Sequence, residues 1–405
     1  MRIGMVLDWV YPPDPRVAKE AKSLIEAGHE VHLLCLRHEP EKDREVVGGL
    51  HVHRWFYRQW LKNKLSAVML TVPIHRWWWR KRINAFVKTV QPEVLHCHDL
   101  PLVKAVATAA KSAQIPIVLD LHETYPATVA SSGYASSILG RLLISVEAWR
   151  RYERYWVACA DRVIAVTEEM REREIAEKGI SPKKIVSVPN HVDLESYYTE
   201  SRPCPHAEKF VNRQVAVHTG GTDEVRGVDF VIRAVPEVVK SVPNLLIMVV
   251  GDGSFRPELE RLTDELRVRE WVFFTGWQKS DDLASYVALA QVGLVTLNRA
   301  EQTLTTSPNK LTEYMALGTP VLVTDCGAPA RLVERAGAGI VVEPEDPKSM
   351  ADGLIEMLND RDPKWSENGK NAVQRKYNWA AAAKALTGMY GQLAENIDSS
   401  QQSGG

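Results

Sequence analysis

Short apolar runs of strand length alternate with amphipathic helical stretches along almost the whole chain. This alternation is typical of parallel α/β sheets, in which a helix connects each strand to the next. A first series of predicted strands covers residues 3–7, 31–35, 94–97, 117–121, 162–166 and 185–188. A second series begins at residue 215 and continues with 245–250, 272–274, 292–297, 321–324 and 340–342. The two series predict two doubly wound, Rossmann-like domains in tandem.

A polar stretch that contains Pro203 and Pro205 separates the two series, which predicts a linker over residues 191–212. We therefore expect one domain over residues 1–190 and a second over residues 213–376. A final amphipathic helix is predicted over residues 377–394, followed by a disordered tail over 395–405. Tandem domains of this kind bind ligands in the cleft between them, so we expect a ligand site there.

Composition narrows the class of protein. An apolar content of 45% and a charged content of 25% are those of a soluble globular protein. The net charge of -1 gives no overall attraction to a polyanion. The five cysteines are widely spaced without a Cys-x-x-Cys pair, which argues against a disulfide framework or a zinc site. Because the chain begins with strand-like sequence and no apolar run approaches the roughly 20 residues of a membrane span, we expect a cytoplasmic protein.

Two common nucleotide-binding motifs are missing from the sequence. The turn after the first strand, residues 8–16, contains no glycine, whereas a dinucleotide-binding fold needs a glycine fingerprint there. Gly251 and Gly253 form a Gly-x-Gly after a strand, but Arg256 stands at the third glycine position. We interpret this pair mainly as a tight turn. No P-loop is present either.

The stretch 307–321 predicts a short helix with a lysine in its first turn. Ser307 suits the N-cap, Pro308 the first helical position, and Gly318 the end of the helix. Lys310 then lies where the helix dipole is already positive, which disfavours a cation unless an anion binds there. Glu313 follows on the same face. The alternative is a surface helix whose Lys310 extends into water.

A second phosphate candidate follows the first strand of the second domain. Gly220 and Gly221 allow a close approach of the backbone to a ligand, and Arg226 offers two parallel donors to a diphosphate. An ordinary glycine-rich turn is the alternative when this stretch is considered alone.

Ten short stretches carry a family resemblance: PPDPRVAKEA (12–21), AGHEV (27–31), HCHD (96–99), DLHETYP (120–126), ADRVIAVT (160–167), VPNHVD (188–193), RGVD (226–229), VGDG (250–253), FTGW (274–277) and the segment 307–321. In this order and spacing they resemble the nucleotide-sugar-dependent glycosyltransferases of family 4, which have the two-domain GT-B fold. The resemblance covers nearly the whole chain.

The resemblance implies that the second domain binds the nucleotide sugar and the first domain binds the acceptor. Arg226 and Lys310 would contact the diphosphate, Glu313 the ribose, and backbone near Trp277 the base. The predicted catalytic residues are His122, Arg226, Lys310 and Glu313. The full set of predicted donor contacts is Gly220, Gly221, Arg226, Gly251, Trp277, Thr305, Ser307, Asn309, Lys310 and Glu313.

Family members usually retain the anomeric configuration without a metal, so we expect no metal or other cofactor. The Asp-x-Asp at Asp360 to Asp362 follows a helical stretch and is interpreted as a solvated loop. Two positions depart from the family pattern. Thr305 stands where the Glu-x7-Glu motif places its first acid, so the donor sugar cannot be inferred. Gly221 stands where an arginine is common.

Polar residues at predicted strand ends of the first domain are the acceptor candidates. The predicted contacts are Asp14, Arg16, His98, Asp99, His122 and Glu123. The resemblance makes His122 a contact of the donor sugar or the acceptor. Histidines at strand ends are often structural, and Asp14 and Arg16 could instead pair with each other.

Residues 46–92 contain no aspartate or glutamate. The basic residues of this stretch are Arg54, Arg58, Lys62, Lys64, Arg76, Arg80, Lys81, Arg82 and Lys88, and its tryptophans are Trp55, Trp60, Trp77, Trp78 and Trp79. Basic residues among tryptophans suit an anionic membrane surface, so we expect residues 51–88 to contact one. Alternatively, the tryptophans are core residues and the charges are solvated. No nucleic-acid-binding motif accompanies the stretch, so no nucleic-acid partner is expected.

The sequence therefore predicts a retaining glycosyltransferase, specifically a hexosyltransferase, that uses a UDP- or GDP-sugar. The expected acceptor is lipid-linked, in glycan or exopolysaccharide synthesis at the inner face of the plasma membrane. The alternatives are a GT-B-fold sugar-nucleotide 2-epimerase and a non-catalytic protein that binds sugar nucleotides.

Overall fold

The computed structural model describes residues 1–38, 41–131, 144–199, 204–205 and 207–403. The chain forms two compact units, each built on one sheet. Unit 1 comprises Met1–Pro189 and the C-terminal segment from Ala382, and unit 2 comprises Asn190–Ala381. Residues 200–203 and 206 of the predicted linker lie outside the described residues, as do residues 404–405 of the predicted tail.

Unit 1 contains an eight-stranded sheet in the order β3-β4-β2-β1-β5-β6-β7-β8, in which only β3 is antiparallel to its neighbour. Its strands are β1 (Arg2–Val10), β2 (Glu30–Arg37), β3 (Arg44–Val47), β4 (Leu50–Phe56), β5 (Val94–His98), β6 (Ile117–Leu121), β7 (Arg162–Ala165) and β8 (Ile185–Ser187). Its helices are α1 (Pro15–Glu26), α2 (Gln59–Ala67), α3 (Ile74–Val90), α4 (Val103–Ala113), α5 (Tyr125–Ser131), α6 (Val146–Cys159) and α7 (Glu168–Lys178).

Unit 2 contains a six-stranded parallel sheet in the order β11-β10-β9-β12-β13-β14. After α8 (Leu194–Thr199), its strands are β9 (Gln214–Thr219), β10 (Leu245–Val250), β11 (Val272–Gly276), β12 (Val292–Val295), β13 (Val321–Thr324) and β14 (Gly339–Val342). Its helices are α9 (Val228–Ser241), α10 (Arg256–Glu265), α11 (Ser280–Ala288), α12 (Glu301–Leu304), α13 (Asn309–Leu317), α14 (Ala328–Ala336), α15 (Pro347–Asn359) and α16 (Pro363–Arg375). A last helix, α17 (Trp379–Ser403), begins in unit 2 and lies mostly in unit 1.

The central strands are buried on both faces, which explains their continuous apolar sequence. All six residues of β10 are buried, and so are all five of β5, including His96 and His98. Strand order reverses between β1 and β5 in unit 1, and between β9 and β12 in unit 2. At such a reversal the loops at the carboxyl ends of the strands separate, which opens a crevice for a ligand. The loop after β9 therefore lies at the expected ligand-binding edge of unit 2.

Every predicted strand is present, although several bounds differ by a few residues. The sequence analysis missed the hairpin of β3 and β4. In β4 the buried Leu50, Val52 and Arg54 alternate with the less buried His51 and His53. This two-residue period is typical of a strand, although the stretch is also rich in basic residues.

The predicted tail is a second difference, because α17 continues to Ser403. Its last residues include alanine, glutamate and glutamine, which favour helix, and no proline or glycine interrupts them before Gly404.

Candidate functional site

Helix α13 carries the predicted lysine and is fixed to the neighbouring strand by Tyr314. The structure places Pro308 at the N-cap and Gly318, in the left-handed region, at the C-cap. Ser307, the predicted N-cap, therefore lies one residue outside. The fully buried Tyr314 hydroxyl accepts a hydrogen bond from the backbone N–H of Thr219 at 2.9 Å and lies 3.0 Å from its side-chain oxygen. The N-terminus of α13 is thereby held beside the end of β9.

Lys310 points its ammonium at His218, the next-to-last residue of β9. Nζ lies 3.2 Å from His218 Nε2 and 3.3 Å from Nδ1. His218 Nε2 also lies 3.0 Å from the carbonyl oxygen of Gly221, which assigns the ring proton to Nε2 and leaves Nδ1 as the acceptor for Lys310. Burial and the nearby Lys310 keep the pKa of His218 well below its usual range, so the imidazole is neutral.

Arg226 adds a second cation to this position. Burial and the Arg226 guanidinium lower the pKa of Lys310 well below its usual range, and Glu313 opposes that shift. Lys310 and Arg226 are therefore near each other at the N-terminus of a helix, where positive charge is already disfavoured, so the charged form of Lys310 is unfavourable without an anion. An anion bound here would relieve both effects.

The loop between β9 and α9 positions Arg226 through backbone contacts. Its carbonyl oxygen accepts a hydrogen bond from the Thr296 hydroxyl at 2.9 Å. Gly227 follows in the left-handed region with φ of 62°, which lets α9 begin immediately. Among the described residues, Arg226 Nε and the hydroxyl of Thr222 are buried without a hydrogen-bond partner. Both groups can donate to a ligand oxygen.

Glycines are required where this loop meets the end of β10. Gly251 has φ of 147°, and a Cβ added there would collide with the carbonyl of Gly220. Gly220 has φ of 99° and open space where its Cβ would lie. The Gly-x-Gly is thus a tight packing turn, as its sequence indicated, and it supports the loop that carries the predicted phosphate contacts.

The remaining predicted donor contacts are all in unit 2. Trp277 directly follows β11 and is 72% exposed. Ser307, Asn309 and Glu313 are partly buried at or near the start of α13. Thr305, which replaces the family acid, is buried as well. A hydroxyl at this position cannot supply the negative charge of the family carboxylate.

In unit 1, three of the predicted acceptor residues, Arg16, His98 and His122, contact a buried carboxylate, Asp120. Arg16 binds it through two hydrogen bonds, from Nε to Oδ2 at 3.1 Å and from Nη2 to Oδ1 at 2.7 Å. Arg16 Nη1 also donates to the carbonyl oxygen of Val188 at 3.0 Å. Although burial alone would raise it, the pKa of Asp120 is held well below its usual range by Arg16 and His122. Asp120 is therefore ionised.

His122 lies on the outer side of this carboxylate. Its Nε2 lies 2.7 Å from Asp120 Oδ2, and 21% of its side chain is exposed. Burial would lower its pKa, but the charge of Asp120 outweighs burial and raises the pKa of His122 to about 9. At neutral pH His122 is thus a cation held in place by Asp120, with part of its ring available to a ligand.

Behind Asp120 the network continues into the core. His96 and His98 lie two residues apart on β5, so they share a face, and His98 is the register partner of Asp120. His96 Nδ1 lies 2.8 Å from the hydroxyl of Tyr390 on α17, and Glu20 Oε1 lies 2.9 Å from Arg16 Nη2. Burial and His96 lower the pKa of His98 to about 3, so this ring is neutral.

Two of the predicted acceptor contacts need correction. The Arg16 side chain is only 5% exposed and is held by Asp120 and Glu20, so it cannot reach an acceptor. His98 is 1% exposed and faces Asp120 and His122. Both residues position His122 instead.

The other three acceptor candidates have mixed roles. Asp14 caps α1, because its carboxylate accepts hydrogen bonds from the backbone N–H groups of Arg16 and Val17. Asp99 is partly buried and has φ of 68°, and burial raises its pKa. Glu123 is partly buried beside His122 in sequence. Asp99, His122 and Glu123 remain the accessible candidates.

Glu20, His96, His98 and Asp120 each place one ligand atom within 4.8 Å of the others, a spacing that a metal ion could use. Arg16, however, lies within 2.9 Å of both carboxylates. The guanidinium thus already occupies both carboxylates as their cationic partner, so this donor set does not fit a metal ion.

Sequence reasoning did not assign roles to His218, Asp120, His96 or Tyr390. The His-x-His pattern of β5 could have indicated that His96 and His98 lie together, because it places both rings on one face of the strand. The partnership of His218 with Lys310 had no sequence signal, since the two residues are 92 positions apart.

The basic aromatic stretch divides into buried and exposed parts. Trp79 is buried and donates from Nε1 to Asp8 at 3.0 Å, and Trp55 and Trp78 pack partly buried against the core. Arg54 is buried and pairs with Glu45 at 2.6 Å. These residues are structural. The exposed remainder, which we call the α2–α3 surface, comprises Phe56, Arg58, Trp60, Ile74, Trp77, Arg80 and Lys81.

The α2–α3 surface retains both apolar and cationic groups. Trp60 and Trp77 are more than half exposed, and Lys81 Nζ lies 3.8 Å from the centre of the Trp77 ring. Among the described residues, no helix has both the length and the apolar character to span a bilayer.

Comparisons with known proteins agree with this architecture. Residues 16–196 match the family described as Glycosyltransferase Family 4, and residues 213–360 match that described as Glycosyl transferases group 1. The uncharacterized glycosyltransferase MJ1607 of Methanocaldococcus jannaschii is 25% identical over 96% of this chain and 98% of its own length. The alpha-monoglucosyldiacylglycerol synthase of Acholeplasma laidlawii is 22% identical over 80% of each chain.

Solved structures show the same fold. Sucrose-phosphate synthase of Thermosynechococcus elongatus superposes with a TM-score of 0.77, at 19% identity, over 98% of this chain and 100% of that one. HepE of Anabaena in complex with UDP-glucose gives a TM-score of 0.67, at 16% identity, over the same shares. The predicted GT-B fold is confirmed, and the chain belongs to the family 4 glycosyltransferases.

Proposed function

We propose that this glycosyltransferase transfers a hexose from a UDP- or GDP-sugar to a lipid-linked acceptor, with retention of the anomeric configuration. The observation that carries the proposal is the pair Lys310 and Arg226 at the N-terminus of α13. Two cations in a partly buried position need an anion, and the diphosphate of a nucleotide sugar supplies one of matching size.

The same groups suit the chemistry of the leaving nucleotide. As the bond between the sugar and the diphosphate breaks, negative charge accumulates on the departing phosphate. Lys310, Arg226 and the N–H groups of α13 are fixed donors for that charge, so they stabilise the transition state more than the ground state. With this cationic set no metal is needed, and we propose that none takes part.

Glu313 and Trp277 complete the proposed donor site. Glu313 lies one turn beyond Lys310, where its carboxylate would accept hydrogen bonds from the ribose hydroxyls. Trp277 follows Gly276, which has φ of 74°, and backbone of this turn would meet the base. HepE has been solved with UDP-glucose, which supports a nucleotide-sugar donor.

His122 is the proposed contact on the acceptor side. As a cation anchored by Asp120, it would donate from its exposed nitrogen to a hydroxyl of the donor sugar or of the acceptor. A protonated imidazole is not a general base. The departing phosphate is therefore the proposed acceptor of the proton from the attacking hydroxyl.

The α2–α3 surface supports a lipid-linked acceptor at an anionic membrane. Tryptophan prefers the membrane interface, and each cation near it adds about 1 kcal/mol of attraction. The relative from Acholeplasma laidlawii is named for the synthesis of a glycolipid, monoglucosyldiacylglycerol. We propose that the protein works as a peripheral enzyme on the inner face of the plasma membrane.

The test is a transfer assay with radiolabelled UDP- and GDP-sugars, with and without extracted membrane lipid, followed by NMR of the anomeric linkage. We expect label in the lipid fraction, with one nucleotide favoured and the configuration retained. Epimerisation of the free donor without transfer would instead identify a sugar-nucleotide 2-epimerase. Donor binding with neither transfer nor hydrolysis would identify a non-catalytic protein.

A further inference from the structure

Three histidines and a glutamate lie together on the outer strands of unit 1, away from Asp120 and its partners. Glu30 and His32 are alternate residues of β2, and His51 and His53 are alternate residues of β4. Each pair therefore projects from one face of its strand. In the parallel pairing of β2 with β4, His32 is the register partner of His51. The four side chains are thus brought to one patch of the sheet by strand register.

The separations within this patch are those of ligands that share one ion. One ligand atom from each of Glu30, His32 and His51 lies within 4.8 Å of the others. His32 Nε2 is 2.8 Å from Glu30 Oε1, and the rings of His32 and His51 are stacked with centroids 4.6 Å apart. Bonds of about 2.0–2.2 Å from zinc to nitrogen and oxygen, at tetrahedral angles, separate ligands by roughly 3.5 Å. Small side-chain rotations meet that requirement.

We propose that Glu30, His32 and His51 form a binding site for a divalent transition-metal ion, represented by Zn²⁺. Two imidazoles and one carboxylate are a set that zinc accepts, and a fourth position facing solvent would be filled by water. Glu30 is exposed and His51 is partly exposed, so an ion can enter from solution. The cysteine spacing argued against a zinc site, whereas the site proposed here contains no cysteine.

Neighbouring groups orient two of the three ligands. His53 Nε2 lies 3.1 Å from His32 Nδ1, and it can accept the proton on that nitrogen. An ion bound between His32 and Glu30 would displace the proton of their 2.8 Å hydrogen bond, and the lone pair of His32 Nε2 would then be directed toward the ion. Arg2 Nε holds the other carboxylate oxygen, Glu30 Oε2, at 3.1 Å. Metal sites in proteins commonly have such supporting hydrogen bonds.

A bound ion would link β2 to β4, the strand that the hairpin adds to the sheet.

The experiment is calorimetric titration of the full-length, untagged protein with ZnCl₂, accompanied by thermal melts. We expect one ion per chain and an upward shift of Tm with zinc. His51→Gln and Glu30→Gln should each weaken zinc affinity at least about 10-fold and abolish the Tm shift. His32 is only 9% exposed, so it is left unchanged to avoid a folding defect.

The matched control is His29→Gln, because His29 lies next to Glu30 in sequence but packs against Tyr390 and lies 3.4 Å from the terminal amine. This variant should bind zinc as the parent does. Circular dichroism without metal checks that all variants fold. The proposal is overturned if the parent binds no zinc. It is also overturned if His51→Gln binds normally, or if His29→Gln loses the ion and thereby identifies the N-terminus as the site.

Discussion

The Lys310 ammonium lies 3.3 Å from Nδ1 of His218, a neutral partner that accepts a hydrogen bond without neutralising charge. Arg226 adds a second cation nearby and contributes to the lowered pKa of Lys310. The unliganded protein thus maintains a positive position at the N-terminus of α13, and this position is less stable than it would be with an anion bound.

We expect Lys310→Ala to lose nucleotide-dependent stabilisation while the unliganded protein stays folded. A charged hydrogen bond contributes about 1.5–3 kcal/mol, so the affinity for a nucleoside diphosphate should fall roughly 10- to 100-fold. Thermal-shift titration with UDP, GDP and ADP measures this effect. Lys348→Ala, at an exposed position of unit 2, is the control. Equal affinity in the Lys310→Ala and Lys348→Ala variants would contradict the proposed diphosphate site.

Gly251→Ala should damage the same site from the other side of the loop. The added Cβ would overlap the carbonyl of Gly220, and φ of 147° is unfavourable for alanine. We expect a loss of about 1–3 kcal/mol in the free energy of unfolding together with weaker nucleotide binding. Urea denaturation and thermal-shift titration measure the two quantities. Gly388→Ala, where the Cβ meets nothing within 4 Å, should leave both unchanged or slightly raise stability.

The charge of His122 predicts a pH dependence of stability. Its pKa rises from 6.5 to about 9 on folding, so the stabilisation is complete below pH 6.5 and is lost as the pH rises toward 9. Denaturant melts should show the free energy of unfolding falling over this interval, by on the order of 2–3 kcal/mol more in the parent than in His122→Asn. Since other groups titrate in both proteins, the difference between the two curves is the measurement. Parallel curves would mean that His122 is not charged in the folded protein.

Membrane contact through the α2–α3 surface makes Trp77 an expected anchor. Trp77→Ala should reduce sedimentation with anionic liposomes, and Lys81→Gln should weaken the salt-sensitive part of the binding by about 1 kcal/mol. Trp277→Ala changes an even more exposed tryptophan, which belongs to unit 2, and should not affect liposome binding. If the parent protein does not sediment at low salt, the membrane proposal fails regardless of the variants.

The sequence predicted the α/β architecture well because buried parallel strands have continuous apolar runs. Residues 245–250 and 117–121 were predicted with the bounds that the structure shows. The β3–β4 hairpin was not predicted. Strand β4 buries an arginine and leaves its histidines only partly buried, so its alternation is less clear than one of apolar and polar residues. The local sequence pattern therefore predicts strands that are buried on both faces of a sheet. It does not predict strands in which a polar residue is buried against a partner elsewhere in the chain.

The candidate site was predictable only in part, for the same reason. Lys310 and Gly318 have local signals, a misplaced charge and a helix end, and both positions were predicted correctly. Arg16 was predicted to contact the acceptor, but its partner Asp120 lies 104 positions away and no local pattern reveals it. A charged side chain that is held in a long-range ion pair, as Arg16 is by Asp120, is not free to bind a ligand.

Helix α17 belongs mostly to unit 1, although most of unit 1 is encoded before residue 190. Its Tyr390 supplies the hydroxyl beside His96, at the back of the network that orients His122. During synthesis, the first 189 residues therefore emerge from the ribosome with this part of their core open to water. The core of unit 1 stays incomplete until unit 2 and then α17 have been translated. The enzyme acquires its fully assembled His122 network only when its last segment has been made, so a chain that stops at Ala381 would carry a complete unit 2 but an incomplete unit 1.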